Sequence, residues 1–180
     1  PHAIGVKTRD PFALTRLAVK HGFTSVTPNL RALVELPKSR RDELLGAMRS
    51  HGLRWGSAPC PVQFNSDDTT YKPQAARIPR LAKALADAGG TRFNTHIYPG
   101  SPTTTYLQNF RRWSRRLREI GRILADHGQR LGLEYIGTHT LVYRNKYPFI
   151  HTMAETKELI ADTGGNNIGF VLDSWHWWQA

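Results

Sequence analysis

The sequence predicts an α/β fold built on a parallel sheet, and three observations carry that expectation. Short apolar runs alternate with helical patterns along the whole chain, giving six candidate strands. The helical segments between them are long enough to act as crossovers, which parallel neighbours require. The runs themselves are nearly continuous in apolar residues, as strands covered by helices are. Two architectures satisfy these observations: an open doubly wound sheet, or a (β/α)8 barrel of which about six βα units are present.

Each element has a local reason. Ala3–Thr8 is short, apolar and β-branched, so it reads as the first strand. Asp10 suits the cap of a helix with Pro11 at its first position, and Phe12, Leu14, Leu17 and Ala18 form the stripe that follows. That helix stops at His21-Gly22, and Phe23–Thr27 is the second strand. Ser39 is expected to cap the next helix, which turns Leu44, Leu45 and Met48 inward and ends at Gly52. Leu53–Ser57 is the third strand, followed by a polar loop through Asn65–Thr70. A helix is expected from Pro73 to Gly89-Gly90, then a fourth strand over Thr91–Ile97. Phe110, Trp113, Leu117, Ile120 and Leu124 recur by threes and fours, the inner face of a long helix from Thr105. Leu131–Gly137 and Ile168–Asp173 are the fifth and sixth strands, with a helix over Met153–Ala161 between them.

Composition narrows the function. Lys and Arg number 25 against 14 Asp and Glu, a net charge of +11 that attracts anions but names no reaction. Arg111, Arg112, Arg115, Arg116, Arg118 and Arg122 are expected on the outer back of the long helix, as a solvated face or a homo-oligomer contact. No run of about 18 apolar residues exists, so a membrane partner is not expected. The start lacks the apolar stretch of a signal peptide, and a cytoplasmic protein is expected. Cys60 is the one cysteine, which excludes an internal disulfide and a C-x-x-C zinc site. Any metal must therefore be held by His, Asp and Glu. No glycine-rich phosphate loop follows the first strand, which speaks against a nucleotide-binding sheet.

The strand ends carry the chemistry. The fourth strand ends in Asn94-Thr95-His96, the fifth carries Glu134, and the sixth runs into Asp173-Ser174-Trp175-His176. In either architecture these ends share one face, where ligands bind. A carboxylate inside an apolar strand is costly unless paired or metal-bound. Carboxylate oxygen and imidazole nitrogen suit a divalent cation, so Glu134, Asp173 and His176 are the candidate ligands. Plainer roles stand beside this one. Glu134 fits an outward residue paired with an arginine, Asp173 a helix cap, and His96 a hydrogen-bonded core histidine. His2, His21, His51 and His127 read as surface residues, the last three beside helix-ending glycines.

The stretches LGLEYIG (131–137) and NNIGFVLDSWHWW (166–178), with IGVKT and HGFTSV near the start, resemble the sugar isomerase/epimerase superfamily with its xylose-isomerase-like TIM barrel. The likeness spans Ile4 to Trp178, and residues 1–180 are expected to form a single such domain, incomplete at its C-terminal end. The resemblance implies one divalent metal ion (Mn, Co or Mg, with Zn as a further option) and a small carbohydrate substrate. It makes Glu134 a metal ligand and catalytic base, and Asp173 a second ligand. His176 becomes a ligand or substrate contact, and His96 a catalytic contact to a substrate oxygen. Trp175 offers an aromatic face to a sugar. Many members carry a Glu at the end of the second strand; here Val26-Thr27-Pro28-Asn29 stands there, and Asn29 is expected to touch substrate. The family's remaining ligands come from seventh and eighth strands, which these 180 residues do not include. A barrel needs about 250 residues, so a fragment is expected. The expected reaction is isomerisation or epimerisation by proton transfer next to a polarised carbonyl. The rivals are an apurinic-site endonuclease and a non-catalytic barrel. His96-Ile97-Tyr98-Pro99-Gly100-Ser101 and the basic charge favour the nuclease. Against a nucleic-acid partner stand the outward placement of the arginines and the absence of an E-N-T stretch at Glu134.

Overall fold

The computed structural model describes Thr8 and residues 10–180. The expected first strand and His2 lie outside the described residues, Thr8 apart. Two compact units are present, one running to Ala58 and including Arg80–Arg92, the other comprising Pro59–Pro79 and Phe93–Ala180.

In the first unit, α1 covers Pro11–Lys20, and the Asp10 carboxylate accepts from the backbone N–H groups of Phe12 and Ala13 at 3.1 and 3.0 Å. The strands expected at 23–27 and 53–57 shrink to β1 (Ser25–Val26) and β2 (Arg54–Trp55), which pair in parallel. Asn29 caps a short helix absent from the sequence expectation, α2 (Leu30–Glu35), and its side-chain oxygen accepts from Ala32 N at 3.1 Å. Helix α3 spans Lys38–Ser50 with Pro37 at the cap, so Ser39 lies inside the helix instead of capping it. Proline's fixed φ and missing donor cost nothing at a helix start, which moves the boundary forward. Ala18, Val26, Leu44, Met48 and Leu53 form the core of this unit.

The second unit holds a four-stranded sheet. After β3 (Ala58–Pro59) the chain does not stay in a loop to Thr70. Asp67 caps α4 (Asp68–Ala75), accepting from Thr70 N at 2.8 Å. The helix expected from Pro73 is therefore two helices, α4 and α5 (Ile78–Asp87), and most of α5 falls in the first unit. Pro79 has no N–H to give the carbonyl of Ala75, so one helix cannot run through. Strand β4 (Arg92–Ile97) follows, then β5 (Gly100–Ser101) and α6 (Tyr106–Ala125). Next come β6 (Arg130–Tyr135), α7 (His139–Tyr143) and β7 (Tyr147–Pro148). The chain ends with α8 (Met153–Thr163), β8 (Ile168–Phe170) and α9 (Ser174–Gln179). The sheet order is β3-β4-β6-β8, while β5 and β7 make a small antiparallel clasp.

Trp113, Leu117, Ile120 and Leu124 are buried as the helical spacing requires. The arginines of α6 depart from expectation. Arg111, Arg115 and Arg122 are exposed, but Arg116 is 1% exposed. Its guanidinium donates to Phe64 O and Ser66 O and pairs with Asp68, all at 2.7 Å. Arg112 donates to Asn65 O at 3.1 Å, and Arg118 donates to the carbonyls of Asp162 and Thr163. Three of the six therefore strap neighbouring segments down, because a guanidinium fork matches carbonyls that no strand partner satisfies. Leu117→Ala should cost about 2–5 kcal/mol through the cavity it leaves, read as a lower urea midpoint.

Candidate metal centre

Strand β6 alternates its faces. Leu131, Leu133 and Tyr135 are buried, while Gly132, Glu134 and Ile136 are half-buried on the opposite face. Strand β8 pairs with it in parallel, Leu131 beside Ile168 and Leu133 beside Phe170. The pairing continues one residue past β8, since Val171 N donates to Leu133 O at 2.9 Å. The strand expected to reach Asp173 ends at Phe170, and the two residues Val171-Leu172 carry the chain to the cap of α9.

Asp173 performs the capping role, accepting from Trp175 N at 2.8 Å, and its carboxyl stands beside that of Glu134. His176 sits in the first turn of α9. One ligand atom each from Glu134, Asp173 and His176 lies within 4.8 Å of the other two. Gly137 makes this approach possible. A Cβ added there would overlap the backbone oxygen of His176 and crowd Ala180. No side chain fits between the end of β6 and α9.

The environment pulls the two carboxyls apart. Burial pushes the Glu134 carboxyl above its ordinary range; the neighbouring Asp173 adds to this, and His176 and His96 oppose it. The N–H of Trp175 holds Asp173 below the ordinary range. His96, near the end of β4, thus stands close enough to Glu134 to be felt. It is not one of the three clustered side chains. Trp175 is 62% exposed beside them. Asn29 caps α2 in the first unit and is likewise not in the cluster.

The donor set fits a divalent cation. Two carboxylates and an imidazole are the oxygen and nitrogen ligands that Mg, Mn, Co and Zn take. His176 Nδ1 is buried with no hydrogen-bond partner, an orphan that needs an occupant nearby.

A cavity of about 380 Å³ opens beside His96, lined by Cys60, Gln63, Asn65, Asn94 and Trp113 among others. Of these, the sequence places Asn94 at a strand end, while nothing in it singles out Gln63 or Asn65 as cavity residues. Gln63 and Asn65 lie in the loop after β3, and the rule that such loops build the site was the available signal. Burial pushes the Cys60 thiol up to about 12, so it is inert in that wall.

Residues 15–180 match the family described as xylose isomerase-like TIM barrel, and the chain belongs to that family. No sequence match is found among curated proteins. A xylose isomerase domain protein from Alicyclobacillus acidocaldarius is similar in structure (TM-score 0.80, 23% identity), over 95% of this chain and 61% of that one. The 3-keto-D-glucoside 4-epimerase of E. coli gives a TM-score of 0.74 at 18% identity, over 96% and 66%. A xylose isomerase-like TIM barrel protein from Mycobacterium smegmatis, in complex with magnesium, gives 0.60 at 19%, over 91% and 55%. The chain thus spans about three-fifths of the length of these structures, and at such identities the likeness is one of fold. Among the described residues, no helix is long and apolar enough to cross a membrane.

Two outcomes follow. Gly137→Ala should weaken Mn²⁺ binding ~10–100-fold, as groups that orient metal ligands do, measured by calorimetric titration. Cys60 should resist iodoacetamide at pH 8 in the native chain and react after unfolding. Burial holds its thiol well above the ordinary range, so little of it is thiolate at that pH.

Proposed function

We propose that the chain belongs to a divalent-metal-dependent isomerase or epimerase acting on a sugar, keto-sugar or polyol. The convergence of Glu134, Asp173 and His176 at the ends of β6 and β8 carries this reading. A divalent cation held there supplies Lewis acidity toward neighbouring carbonyl and hydroxyl oxygens. Glu134 moves the proton at the adjoining carbon. Asp173, held ionised by the Trp175 N–H, and His176 serve as ligands. His96 contacts a substrate oxygen. Gln63, Asn65 and Asn94 line the cavity, and carboxamide side chains are suited to hydroxyl groups. Trp175 and Asn29 are the further substrate contacts of this proposal. An epimerase and a magnesium complex among similar folds support it.

The nuclease alternative draws on free basic charge. Arg112, Arg116 and Arg118 are engaged with carbonyls and carboxylates of this chain, which leaves that argument weaker.

Glu134→Gln should abolish Mn²⁺ binding in titration. It should also lower metal-dependent conversion of a ketohexose by about 10²–10⁴-fold, the usual contribution of a positioned acid or base. Turnover that survives both this change and chelation would sink the assignment.

A further inference from the structure

The segment 61–66 forms one wall of the cavity beside His96, yet no strand or helix holds it. Its backbone is secured from behind. Arg116, in the middle of α6, reaches Phe64 O, Ser66 O and the Asp68 carboxylate at 2.7 Å each. Tyr71 covers the guanidinium, 4.1 Å from ring centroid to carbon, and its hydroxyl donates to Glu119 at 2.8 Å. One turn earlier, Trp113 stacks on Phe64 at 5.0 Å between centroids and lines the same cavity. Gln63 N is held in turn by the Gln74 side chain at 2.7 Å.

Such an arrangement is a poor device for stability alone. The Asp68 carboxylate is about half exposed, and an ion pair to such a group contributes little to stability. What the guanidinium adds is direction, since its planar fork fixes two carbonyls and a carboxylate at once. The carbonyls it fixes belong to Phe64 and Ser66, the residues flanking Asn65, which lines the cavity.

We propose that Arg116 is a positioning residue for the substrate cavity, setting the shape of the 61–66 wall beside His96 without touching substrate. The substrate part of this rests on the function proposed above; the positioning part does not. Arg116→Lys keeps the charge and loses the fork, and Asp68→Asn, on a half-exposed side chain, is the milder second variant. In Arg116→Lys, amide hydrogen exchange over 62–67 should quicken about tenfold or more, the loss of a charged hydrogen bond, with β6 and β8 unchanged. Asp68→Asn should move the same amides by a smaller factor. Mn²⁺ affinity should stay within about twofold, because the three metal ligands lie on other elements. On the D-ketohexose that the parent chain converts best, among psicose, fructose, tagatose and sorbose, KM should rise about tenfold with kcat little changed. Unchanged exchange at 62–67, or exchange that quickens equally in β6 and β8, would overturn the proposal. So would a loosened wall with an unmoved KM. A parent chain inactive on all four sugars would count against the proposed function, while the exchange comparison still decides whether Arg116 sets the wall.

Discussion

The parallel register of β6 on β8 is the constraint on which the site depends. Leu131, Gly132 and Leu133 lie beside Ile168, Gly169 and Phe170, and the next bond, Val171 to Leu133, brings the chain level with Glu134. A slip of one residue would exchange the faces of the strand and bury Glu134 among Leu and Ile side chains. The register is locked by size as well as by hydrogen bonds. A Cβ at Gly132 would collide with the Val171 side chain, and one at Gly121 would press on Ile168.

From that register the remaining geometry follows. Two residues beyond Val171, Asp173 caps a helix too short to persist alone, and the helix returns His176 toward the carboxylates. Capping a helix and standing in the cluster are not competing roles here. A carboxylate has two oxygens, so Asp173 can answer the N–H of Trp175 and still face Glu134. The functional cluster thus includes part of the hydrogen bonding that folds its own backbone.

Much of this was legible in the sequence where a side chain's type conflicts with its surroundings. Glu134 in an apolar run and Asp173 after three apolar residues stand out for that reason, and the D-x-x-H spacing marks His176. The long helix was legible through its spacing and its start at Thr105, but the capping box that Thr105 makes with Gln108 was not read from it. Boundaries set by proline were not: Pro37 moves one start, and Pro79 divides one helix into two. The arginines of α6 were legible as a charged face but not as clamps, because their carbonyl partners lie some fifty positions away in the chain. Gly137 was silent for a related reason. A glycine shows that space is needed, but only the fold shows what fills it.

The grip of Arg116 has one more consequence. It holds oxygen atoms that every residue type carries at Phe64 and Ser66, not their side chains. The neighbouring Gln63 and Asn65 can therefore be exchanged for other residues without loss of an anchoring contact to that guanidinium. A lineage can rewrite the inner lining of this wall one substitution at a time while its backbone stays in place. The lining of the wall can drift here without refolding.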